Sequence, residues 1–150
     1  MAKVEMKMPD DFLMNLSRLE EKTDEIIPKV LEAGGKIVLA KVKGNLSSVI
    51  GKGTKYKSRA TGELEHSLGL SPAKQNRDAS GWDIKVGFAE SRKGTGGSRG
   101  KTSNAKLANI IEYGKHGQPA KPFLKPAKSS SRKPCIEAMK TKLEEEANNL

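Results

Sequence analysis

NAKLANIIEYGKHGQPAKPFLKPA, residues 104–127, holds the end of one element and the start of a rigid connection. Leu107, Ala108, Ile110 and Ile111 fall at helical spacing, and Asn104 stands where an N-cap belongs. Gly114, directly after Tyr113, can take the left-handed conformation that stops a helix. Pro119, Pro122 and Pro126 then come within eight residues. Each fixes its own φ and pushes the residue before it towards extended geometry. Phe123 and Leu124 are large apolar groups inside that run, which cannot be a central strand. The stretch predicts a short helix, a stop, and a loop pinned to the core by Phe123.

Upstream, residues 23–50 predict the longest helix. Ile27, Val30, Leu31, Gly34, Val38, Val42, Leu46 and Val49 form one stripe, and Ile26, Ala33, Ile37 and Ala40 widen it beyond a single face. Pro28 falls in the first turns, where a missing amide donor costs little. The Gly34-Gly35 pair costs about 1 kcal/mol per glycine against Ala, which points to close approach of another backbone or to a kink. A continuous helix here would be about 40 Å long at ~1.5 Å per residue. A helix that outruns the core of so small a domain reaches something else. Ahead of it, residues 3–8 (KVEMKM) alternate as a short half-buried strand, a possible third edge for a sheet. Pro9-Asp10-Asp11 then opens a helix extending to Lys22.

Residues 51–60 (GKGTKYKSRA) are a basic loop in which Lys52, Lys55, Lys57 and Arg59 surround Tyr56. Thr61 is placed to cap a short helix with Leu64 and Leu68 inward. Glu63 and His66 share a helical face, but no third ligand or nucleophile accompanies them, so an exposed first-turn carboxylate is the better reading. Residues 68–75 and 82–90 predict a β-hairpin with a long polar turn. Trp82, Ile84, Val86 and Phe88 alternate with Asp83, Lys85 and Gly87, and Pro72 confines its strand to an edge. Residues 91–103 carry Arg92, Lys93, Arg99 and Lys101 among glycines and no large apolar group, which predicts disorder in the free protein. Their GTGGSRGKT run is no phosphate loop. In one register Arg99 takes the place of a required glycine, and in the other Thr95 does.

Beyond the opening stretch, KSSSRKPC reads as a break, with Pro134 at the N-terminus of a last helix. Ile136, Met139, Leu143, Ala147 and Leu150 make its narrow apolar stripe, which should pack on the long helix or on a neighbour. Together these elements predict an α+β fold in one domain, residues 1–150: a long helix from the N-terminal half and a C-terminal helix packed on a small antiparallel β-sheet. Flexible basic loops are expected near 51–60 and 91–103.

Composition narrows the function. With 35% hydrophobic residues and six aromatic ones in 150, the core should be thin and mainly aliphatic. Part of the stability of such a core can come from neighbours in an assembly. The net charge of +10 sits in the middle of the chain: residues 51–135 hold eighteen basic and six acidic groups, whereas residues 1–50 hold eight of each. Such a surface attracts nucleic acid or an acidic protein. The single Cys135 rules out a disulfide framework within one chain, and with two histidines it cannot close a zinc site. A reducing cytoplasm is the expected place of synthesis. No apolar run approaches the ~20 residues of a membrane span, and the first residues show no signal-peptide core. No constellation calls for a cofactor, a metal, a small-molecule substrate or catalysis.

Two motifs carry a resemblance. The first is Thr61-Gly62-Glu63-Leu64-Glu65-His66-Ser67-Leu68. The second is Ile111-Glu112-Tyr113-Gly114 followed by Pro119-Ala120-Lys121-Pro122-Phe123-Leu124-Lys125-Pro126-Ala127. In order and spacing, over roughly residues 23–150, the chain resembles the tail-completion or neck proteins of long-tailed double-stranded DNA bacteriophages. It departs from their pattern at Lys106-Leu107-Ala108, where members often place an aromatic before the Ala, and at Lys115, where Thr often follows the Gly. The resemblance implies a non-enzymatic virion protein of the neck or tail that completes the tail or joins it to the head as part of a ring. Its implied partners are copies of itself and the head-closure, connector, tail-terminator or tail-tube proteins, with DNA passing by. The implied assembly contacts are Thr61, Gly62, Leu64, Ser67, Glu112, Tyr113, Gly114, Pro122, Phe123, Leu124 and Pro126, with the lysines and arginines of 51–60 and 91–103 as basic arms. The alternative from the residues alone is a nucleic-acid-binding protein using the 51–133 region.

Overall fold

Two long antiparallel helices form the axis of the molecule. The computed structural model describes residues 10–53, 60, 62–89 and 103–150, without the side chains of 11–13, 15 and 16. In chain order the elements are α1 (Asp10–Glu21), α2 (Thr23–Val49), α3 (Glu63–Ser67), β1 (Leu68–Leu70), β2 (Lys74–Gln75), β3 (Trp82–Asp83), β4 (Val86–Phe88), α4 (Asn104–Tyr113) and α5 (Leu124–Asn148). This is the expected α+β arrangement of two long helices on a small antiparallel sheet. The expected strand at 3–8 and the loop residues 54–59 and 91–102 lie outside the described residues.

The 27 residues of α2 rise about 40 Å. Pro28 is tolerated within it, in its second turn. The glycine pair is a point of close approach, one residue for each side of the helix. A Cβ on Gly34 would lie 2.7 Å from Met139 Cγ and 2.9 Å from Cys135 Sγ of α5. A Cβ on Gly35 would lie 2.7 Å from Leu70 Cδ1 of β1. The two glycines thus let α5 and the sheet close on α2 from two sides, at the propensity cost anticipated above.

The hairpin forms with a fault in the middle. Leu68 pairs with Phe88 and Leu70 with Val86, whereas Lys74 pairs with Asp83 and Gln75 with Trp82. Residues 71–73 therefore oppose only residues 84–85, a one-residue bulge at Pro72, which has no amide to donate. The Ser71 amide donates to the Lys85 carbonyl at 2.8 Å, and the Lys85 amide to Ser71 Oγ at 2.9 Å, so the two halves stay joined.

Three expectations need correction. The N-cap of α4 is Ser103, whose Oγ accepts the Lys106 amide at 3.2 Å. Asn104 is the first helical residue instead, and its buried amide group donates to the Ala89 carbonyl at 2.9 Å. The cap of α3 is Gly62 at φ 79°, with no side-chain cap bond; Thr61 lies outside the described residues. The largest change is in α5, which begins at Leu124 and runs through both KSSSRKPC and Pro134. Pro126 falls in its first turn, where no amide is needed. Pro134 removes one bond, but anchors lie on both sides of it. Ala127 and Ser131 are buried before it, and Cys135 and Met139 lie against Gly34 after it. Of the expected stripe, Met139 packs against Gly34 of α2, but two other members are not buried. Ile136 and Leu143, expected inward, are 45% and 44% exposed. Ile136 lies one position, about 100° of helix rotation, from the line through 127, 131, 135 and 139 that faces α2, and Leu143 falls on that line one turn beyond Met139, where the helix is more exposed.

The core gathers Val42 and Leu46 of α2, Leu64 of α3, Ala108 of α4, and Phe123 and Ala127 at the start of α5. Phe88 meets Phe123 edge to face, with ring centroids 6.2 Å apart at 77°.

Candidate assembly site

The connection between α4 and α5 is built on Glu112. Leu107, Ala108 and Ile111 turn α4 onto the core, and the same face carries Glu112 inward, 4% exposed. Its Oε2 accepts the amides of Phe123 at 2.7 Å and Leu124 at 2.8 Å, and its Oε1 accepts that of Lys125 at 3.0 Å. These are amides that the first turn of a helix leaves unpaired, at the end where the helix dipole is positive. Burial, the largest single influence, would raise the carboxyl pKa. The amides of Leu124, Phe123 and Lys125, with the charge of Lys125, together outweigh it and hold the group below its ordinary value. One buried carboxylate therefore starts a 25-residue helix.

The intervening residues serve that geometry. Gly114 turns the chain at φ 77°, and a Cβ there would lie 2.8 Å from both the Ala120 amide nitrogen and the Gln118 carbonyl. The Gly114 amide donates to Ile110 at 2.8 Å, closing α4. Lys115 and Gln118 exchange backbone bonds across a tight turn, and the Lys121 amide returns to the Ile111 carbonyl at 2.7 Å. Asn45 of α2 donates Nδ2 to the Phe123 carbonyl at 3.2 Å, and Lys121 Nζ donates to the Lys52 carbonyl just past α2. Phe123 itself is 0% exposed, as expected of a loop pinned by that ring.

The two sequence motifs meet inside the molecule. Gly62 caps α3, Leu64 enters the same cluster as Phe123, and Ser67 Oγ donates to the Leu64 carbonyl at 2.8 Å. Leu64, Glu112 and Phe123 are interior, whereas Tyr113 (78% exposed), Pro122 and Pro126 offer surface and Leu124 is half-buried. Of the basic arms, Lys52 is exposed; Lys55, Lys57, Arg59, Arg92, Lys93, Arg99 and Lys101 lie outside the described residues. His66 Nδ1 lies 2.7 Å from the Gly62 carbonyl, and Glu63 is half-buried rather than exposed. No group of three His, Cys, Asp or Glu able to hold a metal occurs among the described residues. No described helix is long and apolar enough to cross a membrane. Sequence reasoning missed Asn45 and Ser131. Their signal was a small or polar residue on an otherwise apolar helical face.

A sequence model of the HK97-gp10-like family, described as "Bacteriophage HK97-gp10, putative tail-component", matches residues 10–114. The chain belongs to this family. The match covers α1 through α4 and ends at Gly114, so in the HK97-gp10-like chain described here Glu112 lies inside the matched region and the helix it starts lies beyond it. A search of curated proteins and a search of solved structures each gave no match. Family membership makes the protein a phage tail component that works among other phage structural proteins in the virion.

Proposed function

We propose that the protein is a non-enzymatic subunit that completes the tail or joins it to the head at the phage neck, acting as one domain in a ring. The observation that carries this reading is membership of the HK97-gp10-like family, together with the order of the Thr-Gly-x-Leu and Glu-Tyr-Gly…Pro-Phe-Leu-x-Pro-Ala motifs. The thin core supports it: seven hydrophobic residues are buried among those described, and much apolar area stays half-exposed. Tyr113, Pro122 and Pro126 are exposed motif residues, and in this reading they meet copies of the chain or a connector, head-closure, tail-terminator or tail-tube protein. A phage lacking the gene should still fill heads with DNA and lose infectious joined particles, and a plasmid copy should restore them. Normal infectious yield without the gene would overturn the reading, as would substrate turnover abolished by one point mutation.

A second reading has the exposed Lys115 and the exposed Lys125, Lys128, Arg132 and Lys133 of α5 in its favour: the protein binds the passing nucleic acid through residues 51–133. Affinity for duplex DNA should then fall steeply as salt rises.

A further inference from the structure

The two halves of the α2/α5 pair carry opposite charge. Residues 36–53 and 115–133, which lie together at the C-terminal end of α2 and the N-terminal end of α5, contain ten Lys or Arg and no Asp or Glu. Nine of the ten are exposed, and Lys121 is half-buried. At the other end, residues 17–32 and 137–150 contain nine Asp or Glu against five Lys or Arg. The antiparallel packing fixes this polarity. Asn45 holds the Phe123 carbonyl at one end, while Lys29 pairs with Glu146 at 2.8 Å and Arg18 donates to the Leu150 carbonyl at 3.2 Å at the other. Among the described residues, the basic groups of 115–133 form no ion pair, and Lys125 contributes its charge to the field around Glu112. Each end also exposes a large apolar side chain, Tyr113 at the basic end and Met14 (54% exposed) on α1 at the acidic end.

We propose that a second copy of this chain docks head to tail, the basic end of one α2/α5 pair against the acidic end of the next. The inference rests on the reading of the protein as a ring subunit and names the surfaces that would make the ring. A nucleic acid would match the basic end and be repelled by the acidic one. A second copy uses both ends and brings a Tyr and a Met, types enriched at interface cores, into each junction. Because the two surfaces differ, the contact is heterologous, which repeats from copy to copy and closes into a ring when the rotation allows.

The test uses the full chain and two exposed-residue variants, Lys128→Glu/Arg132→Glu/Lys133→Glu and Glu20→Lys/Glu21→Lys/Glu144→Lys, each first shown to keep wild-type circular dichroism and melting. Sedimentation velocity should show wild type associating at about 0.01 M salt, where charges act over ~30 Å, and dissociating at about 1 M, where they act over ~3 Å. Each variant alone should associate more than about tenfold more weakly, and an equal mixture should recover association, because each supplies the end the other lacks. A wild type that stays monomeric at low salt, variants that associate like wild type, or a mixture that stays apart would each overturn the proposal. Self-association unchanged in both variants, with loss of binding to a duplex DNA probe in the first alone, would make the basic end a nucleic-acid surface instead. If the interface fails these tests while gene deletion still leaves unjoined particles, only the head-to-tail geometry falls and the neck reading stands.

Discussion

Glu112 is a buried charge whose partners are all backbone amides. Three charge-assisted bonds hold it, and each would leave an unpaired amide if the carboxylate were removed. Its pKa is held down in the folded protein relative to the ordinary value of 4.5. The stabilisation is therefore fully present above about pH 4.5, the unfolded value, and is lost as pH falls through the lower folded value. Glu112→Gln keeps the shape and removes the charge. It should cost about 2 kcal/mol at pH 7, and the gap from wild type should narrow as pH drops below 4.5. Urea melts of both proteins at neutral and acid pH measure this; a gap independent of pH would show that the charge is not what holds α5. The burial of Phe123 was legible in the sequence, since no other role suits a Phe between prolines. The role of Glu112 was not, because its amides lie eleven to thirteen residues away and converge only once α4 and α5 turn back on each other.

At the scale of elements, Pro134 tests the continuity of α5. In a helix interior Pro forfeits a hydrogen bond and costs about 3 kcal/mol, yet α5 continues because Ala127, Ser131, Cys135 and Met139 lie along α2 on either side of it. Pro134→Ala should restore the amide bond to the Ser130 carbonyl and raise stability by about 1–3 kcal/mol. Thermal melting reports this directly, and an unchanged or lowered midpoint would indicate a chain break at 134. Local signals alone placed the break there, because three serines and a proline favour turns wherever packing is absent. By contrast α2 and the strands β3 and β4 were readable from periodicity, though not the break between the two strands at 84–85. Their apolar residues recur at one spacing throughout, and the faces so defined are the ones that pack.

Across the whole molecule, two motifs more than forty residues apart in sequence share one core through Leu64 and Phe123. Phe123→Ala alone should destabilise by about 3 kcal/mol or more. Combined with Leu64→Ala, the losses should depart from additivity by at least about 0.5 kcal/mol, as for residues sharing a packed cluster. A denaturant double-mutant cycle measures that coupling, and strict additivity would mean that the motifs fold as separate units. The spacing of these motifs sufficed to suggest a tail-completion protein, and the HK97-gp10-like match over residues 10–114 agrees at the level of a tail component.

By itself the sequence determined the α+β class, the long helix, the hairpin and the interior place of Phe123, because each rests on the period or type of neighbouring residues. Only the tertiary structure decided where α5 begins, which of its faces is buried, and that Gly34 and Gly35 serve two different neighbours. The reason is range. A carboxylate that supplies a helix with its first hydrogen-bond acceptors, and a packed partner that carries a helix across a proline, are contributed by residues distant in the chain. No local pattern records them.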